Sequence, residues 1–285
     1  MSSILAITPA RDEERLLPQL IASMTAQTMR PDRFVIINDG SIDATHAIAD
    51  AAAAEYEWIN VIHFSRTRPR SEGGESVVAQ VLRRERWLNY DYVFRLDADI
   101  SFAPDMTSLL LREFNCDSRL GIAGPILLEP YPLGWRPIRQ PEFHTRGAAK
   151  MYSRECLTAT GLPDAGLGWD TIDEVRAMLA GFHTRHFSHI EARHHRPQGA
   201  AGGIWKARGA AGHAAYRIGY SPLFLLARSV RMLFATSGPA GALAFLNGYL
   251  RAYVERRPRP VSPDIVAFVR RQQLRRLFLQ ESQWR

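Results

Sequence analysis

Cysteine is nearly absent from this chain of 285 residues. Its two copies, Cys116 and Cys156, match no metal-binding spacing and build no disulfide framework, which suits a reducing compartment. An uninterrupted apolar run of about 18 residues, as a spanning helix needs, is also missing. The closest stretch, residues 233–250, is uncharged but broken by Gly238, Pro239, Gly241, Asn247 and Gly248. The start of the chain has no basic segment followed by an apolar one. Residues 3–8 already read as a strand, so no removable leader is expected. No glycine-rich loop ends in Gly-Lys-Ser/Thr, which excludes a Walker A site. No Gly-x-Gly-x-x-Gly follows the first strand, which argues against a dehydrogenase. There is no internal repeat, and the only biased tract is Ala51 to Ala54.

What remains is an ordinary globular composition, 46% hydrophobic and 23% charged, long enough for one large domain or a domain plus a lobe. Charge is placed unevenly. Residues 205–285 carry 14 Lys/Arg against 3 Asp/Glu, which leaves −4 of the total +7 for residues 1–204. A near-neutral body with a basic tail points to an anionic surface, phospholipid headgroups before nucleic acid.

The body alternates strands and helices. Strands are expected at residues 4–7, 34–37 and 61–64, with helices at 16–24, where Leu16, Leu17, Leu20, Ile21 and Met24 recur at helical spacing, and at 43–54. This order argues for an α/β fold with a mostly parallel, Rossmann-like sheet. Ligands of such sheets bind beyond the carboxyl ends of the strands. The polar clusters lie at those ends. A helix at 75–89, a strand from Tyr92, a helix at 104–114 and a strand at 121–128 follow. Residues 129–141 read as an irregular, proline-rich excursion. Residues 146–152 are strand-like. A helix opens near Asp170 with a Thr171…Glu174 capping box available and closes at Gly181. A strand over 182–193 ends in His194 and His195. From Gly202 to Gly209 the chain reads as a flexible basic loop, and three helices are expected at about 212–235, 239–256 and 262–280.

The chain is organised around Tyr92-Val93-Phe94-Arg95-Leu96-Asp97-Ala98-Asp99. In an extended segment, residues i and i+2 share a side, so Asp97 and Asp99 can face one point. Two hard oxygen ligands beside a diphosphate suit Mg²⁺ or Mn²⁺. The competing reading is a strand end followed by a turn, with Asp99 and Ser101 capping the next helix. Arg66, Arg68 and Arg70 fit a diphosphate clamp or, equally, a solvated loop.

Several motifs in order resemble family 2 glycosyltransferases, which have the GT-A nucleotide-sugar fold. They are Thr8-Pro9-Ala10-Arg11-Asp12-Glu13, Asn38-Asp39-Gly40-Ser41-Ile42-Asp43, Leu96-Asp97-Ala98-Asp99, Gly147-Ala148-Ala149-Lys150-Met151-Tyr152 and Trp169-Asp170. The resemblance covers about residues 1–200 and implies a site. Thr8, Pro9, Ala10, Arg11, Glu13 and Asp39 would cradle the nucleotide, with Arg66, Arg70 and Asp97 toward its diphosphate. For Asp12 and Asp39 the alternatives are a helix cap and a tight turn. Gly147, Ala148 and Trp169 would lie at the donor and acceptor. Asp97 and Asp99 would hold Mn²⁺ or Mg²⁺, joined by a late histidine. Only one of the neighbouring pair can point inward, and His195 is favoured. The alternative is a pair on the surface or at the acceptor. Asp170 aligns with the family's base, 11 residues before Gly181, and Asp173, one turn on, would orient the acceptor. A plain N-cap is the competing role for Asp170.

Two departures from the family stand out. Trp169 replaces the usual Glu before the base. The Gln-x-x-Arg-Trp motif of processive synthases is missing, which favours transfer of a single sugar. The expectation is a metal-dependent inverting glycosyltransferase. Residues 1–200 would form the catalytic domain, and residues 201–285 a basic, amphipathic helical lobe. The donor would be a nucleoside-diphosphate sugar and the acceptor a hydroxyl, lipid-linked or on a polysaccharide precursor. The setting would be cytoplasmic, peripheral on the inner face of the cell membrane, with no nucleic acid partner. Packing of the tail helices onto the body is the rival to membrane contact. Rival functions are a sugar nucleotidyltransferase, whose glycine-rich basic loop after the first strand is not found, and a non-catalytic nucleotide-sugar-binding module.

Overall fold

A computed structural model describes residues 2–66, 75–163, 166–196, 203–234 and 238–284. Strands β1 (Ile4–Ala10), β2 (Arg33–Asp39), β3 (Ile59–Phe64) and β4 (Tyr92–Leu96) are parallel and ordered β3-β2-β1-β4. Helices α1 (Leu17–Thr25), α2 (Thr45–Glu55) and α3 (Glu75–Arg84) connect them. Because β2 and β4 flank β1 on opposite sides, the chain changes direction there. That change leaves a crevice beyond the carboxyl ends of β1 and β4, where such sheets bind ligands.

The rest of the sheet is mixed rather than mostly parallel. β5 (Ile100–Phe102) and α4 (Met106–Cys116) lead to β6 (Leu120–Tyr131), which folds back through β7 (Gly134–Pro137) toward β8 (Ala149–Ser153). β8 lies antiparallel to both β4 and β6, and β9 (His183–His194) is parallel to β6 and antiparallel to β5. The connection from β6 to β8 holds a hairpin and no crossover helix, so the chain returns antiparallel. The excursion at 129–141 thus contains a strand of its own.

Strand alternation sorts the core onto two faces. Ile4, Ala6, Phe34, Ile36, Phe94 and Leu96 pack with α1, α2 and α4. Leu5, Ile7, Val35, Ile37 and Val93 pack against α3 and against α5 (Arg154–Thr160). Apart from Ala6, each of these side chains contributes about 1.5–3 kcal/mol when fully buried.

Helix α6 (Trp169–Leu179) joins the body to the tail. Its Ile172, Val175 and Met178 pack with α7 (Gly203–Ile218), α8 (Pro222–Leu233), α9 (Gly238–Val254) and α10 (Pro263–Leu277). Among the described residues four tail helices therefore replace the three expected, because Gly219 takes a left-handed φ of +86° and Ser221-Pro222 starts a new helix. The stretch from Gly203 to Gly209 is helical, not a flexible loop. Glycines on both helices let α7 approach α9: a Cβ on Gly212 would lie 1.9 Å from the Phe245 carbonyl oxygen, and one on Gly248 2.0 Å from that of Gly209.

Candidate active site

Arg11, Asp39 and Asp97 lie at or just beyond the carboxyl ends of β1, β2 and β4. Arg11 is buried, its Nε donating to the Asp39 carbonyl at 2.8 Å, and its Nη2 has no partner among the described residues. Thr8, the third residue from the end of β1, is also buried with its hydroxyl unpartnered. Pro9 and Ala10 complete that strand. Asp12 caps no helix. At φ +56° it accepts from the Ile42 N–H and pairs with Arg66 at 2.8 Å, so backbone hydrogen bonding from Ile42 holds its carboxyl below the usual range, assisted by Arg66. Gly40 lets this loop close, since a Cβ there would lie 2.5 Å from the Arg66 backbone nitrogen. Arg66 is thus engaged with Asp12. Arg68 and Arg70 lie outside the described residues.

Asp97 and Asp99 converge, but not from an extended strand. β4 ends at Leu96, and Ala98 and Asp99 form a turn into β5. The next helix is capped by neither Asp99 nor Ser101; its N-cap position is Asp105. The histidine beside the pair is His194, which corrects the preference for His195. One ligand atom from each of Asp97, Asp99 and His194 falls within 4.8 Å of the others. His195 turns the other way, its Nε2 2.8 Å from Ser101 Oγ and its ring edge-on to Trp135. Burial opposes charge on Asp99, yet hydrogen bonding and attraction from His194 and Arg196 hold its carboxyl below the usual value. Arg196, not anticipated from the sequence, bridges Asp99 at 3.0 Å and the buried Glu13 carboxylate. Glu13 therefore braces the carboxylate cluster.

Asp97 also meets Arg95, whose Nη1 lies 2.7 Å away and donates to the Gly147 carbonyl as well. The Arg95 guanidinium covers the Trp169 ring at 5.0 Å. Gly147 also presses on this tryptophan: a Cβ there would lie 2.5 Å from Trp169 Cζ2. Ala148 accepts from the Asp97 N–H at 2.8 Å. A cavity of about 210 Å³ is lined by Asp97, Arg146, Gly147, Trp169, Asp170 and His194, among others. Arg146 is half-buried there, and desolvation lowers its pKa against the pull of Asp170 and Glu129.

Asp170 stands in the first turn of α6, facing this cavity. The N-cap is Gly168, at φ +81°, so neither Asp170 nor a Thr171…Glu174 box caps the helix. Asp173 does not reach the cleft, a correction to its expected role. It is buried, accepting from Lys150 Nζ at 2.8 Å and from the Tyr152 hydroxyl. Desolvation, only partly offset by Lys150, pushes its carboxyl up to about 6. Glu174 is fully buried and accepts from the Thr145 N–H at 2.6 Å and from His144 Nδ1 at 2.8 Å. Lys150 and His144 escape sequence reading as functional groups, and Glu174 reads there as a helix-cap residue, because their partners are 23 to 30 residues away in sequence.

The sequence model of "Glycosyl transferase family 2" matches residues 5–162, more than half of the chain. No curated protein matches. Among solved structures, the mannosyltransferase PcManGT from Pyrobaculum calidifontis, in complex with GDP-Man and Mn²⁺, superimposes with a TM-score of 0.60 at 14% identity, over 98% of this chain and 81% of that one. TarS of S. aureus in complex with UDP-GlcNAc gives 0.57 at 14% identity, over 88% and 73%. A mycobacterial protein gives 0.53 at 20%, over 74% and 73%. The architecture is therefore GT-A-like, with additional C-terminal helices. With the family match over the strands that carry the carboxylates, this chain belongs to glycosyl transferase family 2 and is a glycosyltransferase using a nucleotide-sugar donor.

Proposed function

We propose that this protein is a metal-dependent, inverting transferase that moves one sugar from a nucleoside-diphosphate sugar to a hydroxyl. One observation carries the reading: Asp97, His194 and Asp170 line the same cavity. The carboxylate–imidazole set and a carboxylate suited to accept a proton thus face one substrate-sized space.

The donor set of two carboxylates and one imidazole fits Mn²⁺ or Mg²⁺. His194 Nδ1 is buried without a hydrogen-bond partner, although Glu129 lies 3.9 Å off, and its Nε2 faces Asp99 at 3.4 Å. Asp97, Asp99 and His194 would hold the ion, which when bound supplies charge stabilisation to a leaving diphosphate. The known complexes of PcManGT with GDP-Man and Mn²⁺ and of TarS with UDP-GlcNAc support a nucleotide-sugar donor here.

This chain's own residues supply the rest. Thr8 Oγ1 and Arg11 Nη2 are buried polar atoms at the end of β1, whose lack of partners costs about 1–3 kcal/mol each. A nucleotide laid across Asp39 would offset that cost. Arg146 adds positive charge to the cavity wall. Asp170 takes the proton from the acceptor hydroxyl as its oxygen bonds to the anomeric carbon. The bond from that carbon to the diphosphate oxygen breaks, and the diphosphate leaves with the electron pair. One such displacement inverts the anomeric centre.

The acceptor is lipid-linked in this reading, and the tail lobe is its membrane-facing part. Among the described residues no helix is long and apolar enough to cross a bilayer. On α8, Leu223, Leu226, Val230 and Leu233 are exposed at helical spacing; on α9, Leu243, Leu250, Tyr253 and Val254 are. Residues 203–254 contain no Asp or Glu but six Lys/Arg. An apolar stripe flanked by arginines fits an anionic headgroup layer. The test is two-part. Melting temperature with GDP-mannose or UDP-GlcNAc should rise further when Mn²⁺ is added. Co-sedimentation with phosphatidylglycerol vesicles should weaken at high salt. No donor stabilisation with any metal sinks the donor reading, and no vesicle binding at low salt sinks the membrane reading.

A further inference from the structure

Behind Asp170 stands a histidine that the proposed chemistry does not use. His144 Nδ1 is 2.8 Å from Glu174 Oε2, and His144 Nε2 is 3.9 Å from Asp170 Oδ2. The Glu174 side chain is fully buried, while His144 and Asp170 are both partly open. Backbone bonds fix the histidine: its N–H donates to Pro141 at 3.0 Å, and its carbonyl accepts from Gln140 Nε2 at 2.8 Å. Glu174 is itself held by the Thr145 N–H and by Lys150 Nζ at 3.0 Å. A carboxylate acceptor on Nδ1 requires the proton there, which leaves the Nε2 lone pair toward Asp170.

We infer that His144 is the second proton acceptor of the transfer step, and a positioning residue for Asp170. This rests on Asp170 as the base. As the acceptor oxygen bonds to the anomeric carbon, its proton moves to Asp170 Oδ. That proton then passes from Asp170 to His144 Nε2. The O–H bond at Asp170 breaks, an N–H bond forms, and Asp170 returns to its carboxylate. The imidazolium so formed is balanced by Glu174. A gap of 3.9 Å exceeds a direct hydrogen bond. A small rotation of Asp170 closes it, and catalytic contacts commonly tighten when substrate binds.

The surroundings of His144 suit a site that gains and loses a proton. Glu174 and Asp170 approach from α6, and the electrostatic influence of His186 reaches it from β9. Lys150 reaches Glu174 from β8, and Arg146 acts on Asp170 from the loop before β8. The Lys150 charge is shared between Asp173 and Glu174. Glu174 therefore still carries negative charge to offer His144.

The experiment measures nucleoside diphosphate release from GDP-mannose and UDP-GlcNAc with water as acceptor, in the presence of Mn²⁺. His144→Ala should lower kcat about tenfold or more with KM little changed. Added imidazole should restore part of the rate, an effect a structural role would not produce. His144→Gln, which keeps a donor toward Glu174, should melt like the wild type and be equally slow. Asp170→Asn should be slower still and indifferent to imidazole. Wild-type kcat in His144→Ala, or a slow and well-folded variant that imidazole does not help, overturns the role of His144 while leaving Asp170 in place. Wild-type release by Asp170→Asn overturns the base assignment, and the role of His144 with it.

Discussion

Lys150 and Asp173 form an ion pair at 2.8 Å with the lysine side chain entirely enclosed. The chain has only two lysines, and this one also donates to the Asp170 carbonyl and pairs with Glu174. A compact ammonium with three donors suits three converging oxygens better than a planar guanidinium. Lys150 thus ties β8 to the first turn of α6 and fixes the backbone of the candidate base.

The pair makes stability fall in alkali. Desolvation opposes charge on Lys150, but Asp173, Glu174 and Asp170 outweigh it and raise its pKa above 10.5. Burial, then Asp173, raises the Tyr152 phenol well above 10.0. Both groups hold protons in the folded chain that the unfolded chain releases first. Their stabilisation is complete below about pH 10 and is lost as pH rises through the folded values. Denaturant melts between pH 9 and 11.5 should show a decline. Tyr152→Phe should remove up to about 1.4 kcal/mol per pH unit from its slope. An unchanged slope in Tyr152→Phe would refute the burial argument.

The two neighbouring histidines should separate cleanly. His194→Ala should weaken Mn²⁺ binding by more than about tenfold, whereas His195→Ala, which loses a bond to Ser101, should bind near normally. Calorimetric titration of Mn²⁺ in the presence of nucleoside diphosphate checks this. Equal losses in both variants would contradict the assignment.

Gly147 is a packing requirement of the site. Trp169 is covered by Arg95 at 5.0 Å and by Lys150 at 5.5 Å, so it cannot yield to a methyl group on Gly147 without moving Asp170 beside it. Gly147→Ala should cost about 1–3 kcal/mol of stability and slow turnover as well. A thermal melt and a rate measurement on one preparation suffice. Full stability would mean that the cavity wall gives way.

The tail offers an internal control. Gly212→Ala should destabilise by at least about 1–3 kcal/mol through its clash with the Phe245 carbonyl. At Gly209 a Cβ would stay 3.7 Å from the Ala244 oxygen, so Gly209→Ala should be neutral or gain up to about 1 kcal/mol of helix propensity. Equal effects on urea midpoints would refute the close crossing of α7 and α9.

These glycines show where sequence reading stops. In isolation, residues 202–209 have loop composition; from Gly203 they nevertheless begin α7, whose Gly212 is pressed against α9. Strands β1 to β4 and α1 were legible because their patterns are local: Leu17, Leu20 and Met24 recur at helical spacing and are all buried. That Asp97 lies beside Asp99 and shares a cavity with Asp170 was legible through motif order. The choice between His194 and His195 was not. Alternation predicts that only one faces in, but β9 shifts register: Pro125 pairs with Phe187 and the next residue, Ile126, with Glu191. That irregularity resets parity, and nothing in the local sequence announces it. Asp173 looked like a cleft residue because Lys150 and Tyr152, which enclose it, come from β8.

In the proposed mechanism Asp170 removes the acceptor proton while Asp97, Asp99 and His194 serve the donor. Asp170→Asn keeps size and polarity but not basicity. The decisive measurement is the single-turnover rate of nucleoside diphosphate release by Asp170→Asn, with donor and Mn²⁺ affinities measured on the same protein. The proposed mechanism predicts wild-type affinities, an unchanged melting temperature and a rate lower by about 10²–10⁴-fold. A near wild-type rate in a folded, donor-binding Asp170→Asn protein would contradict it.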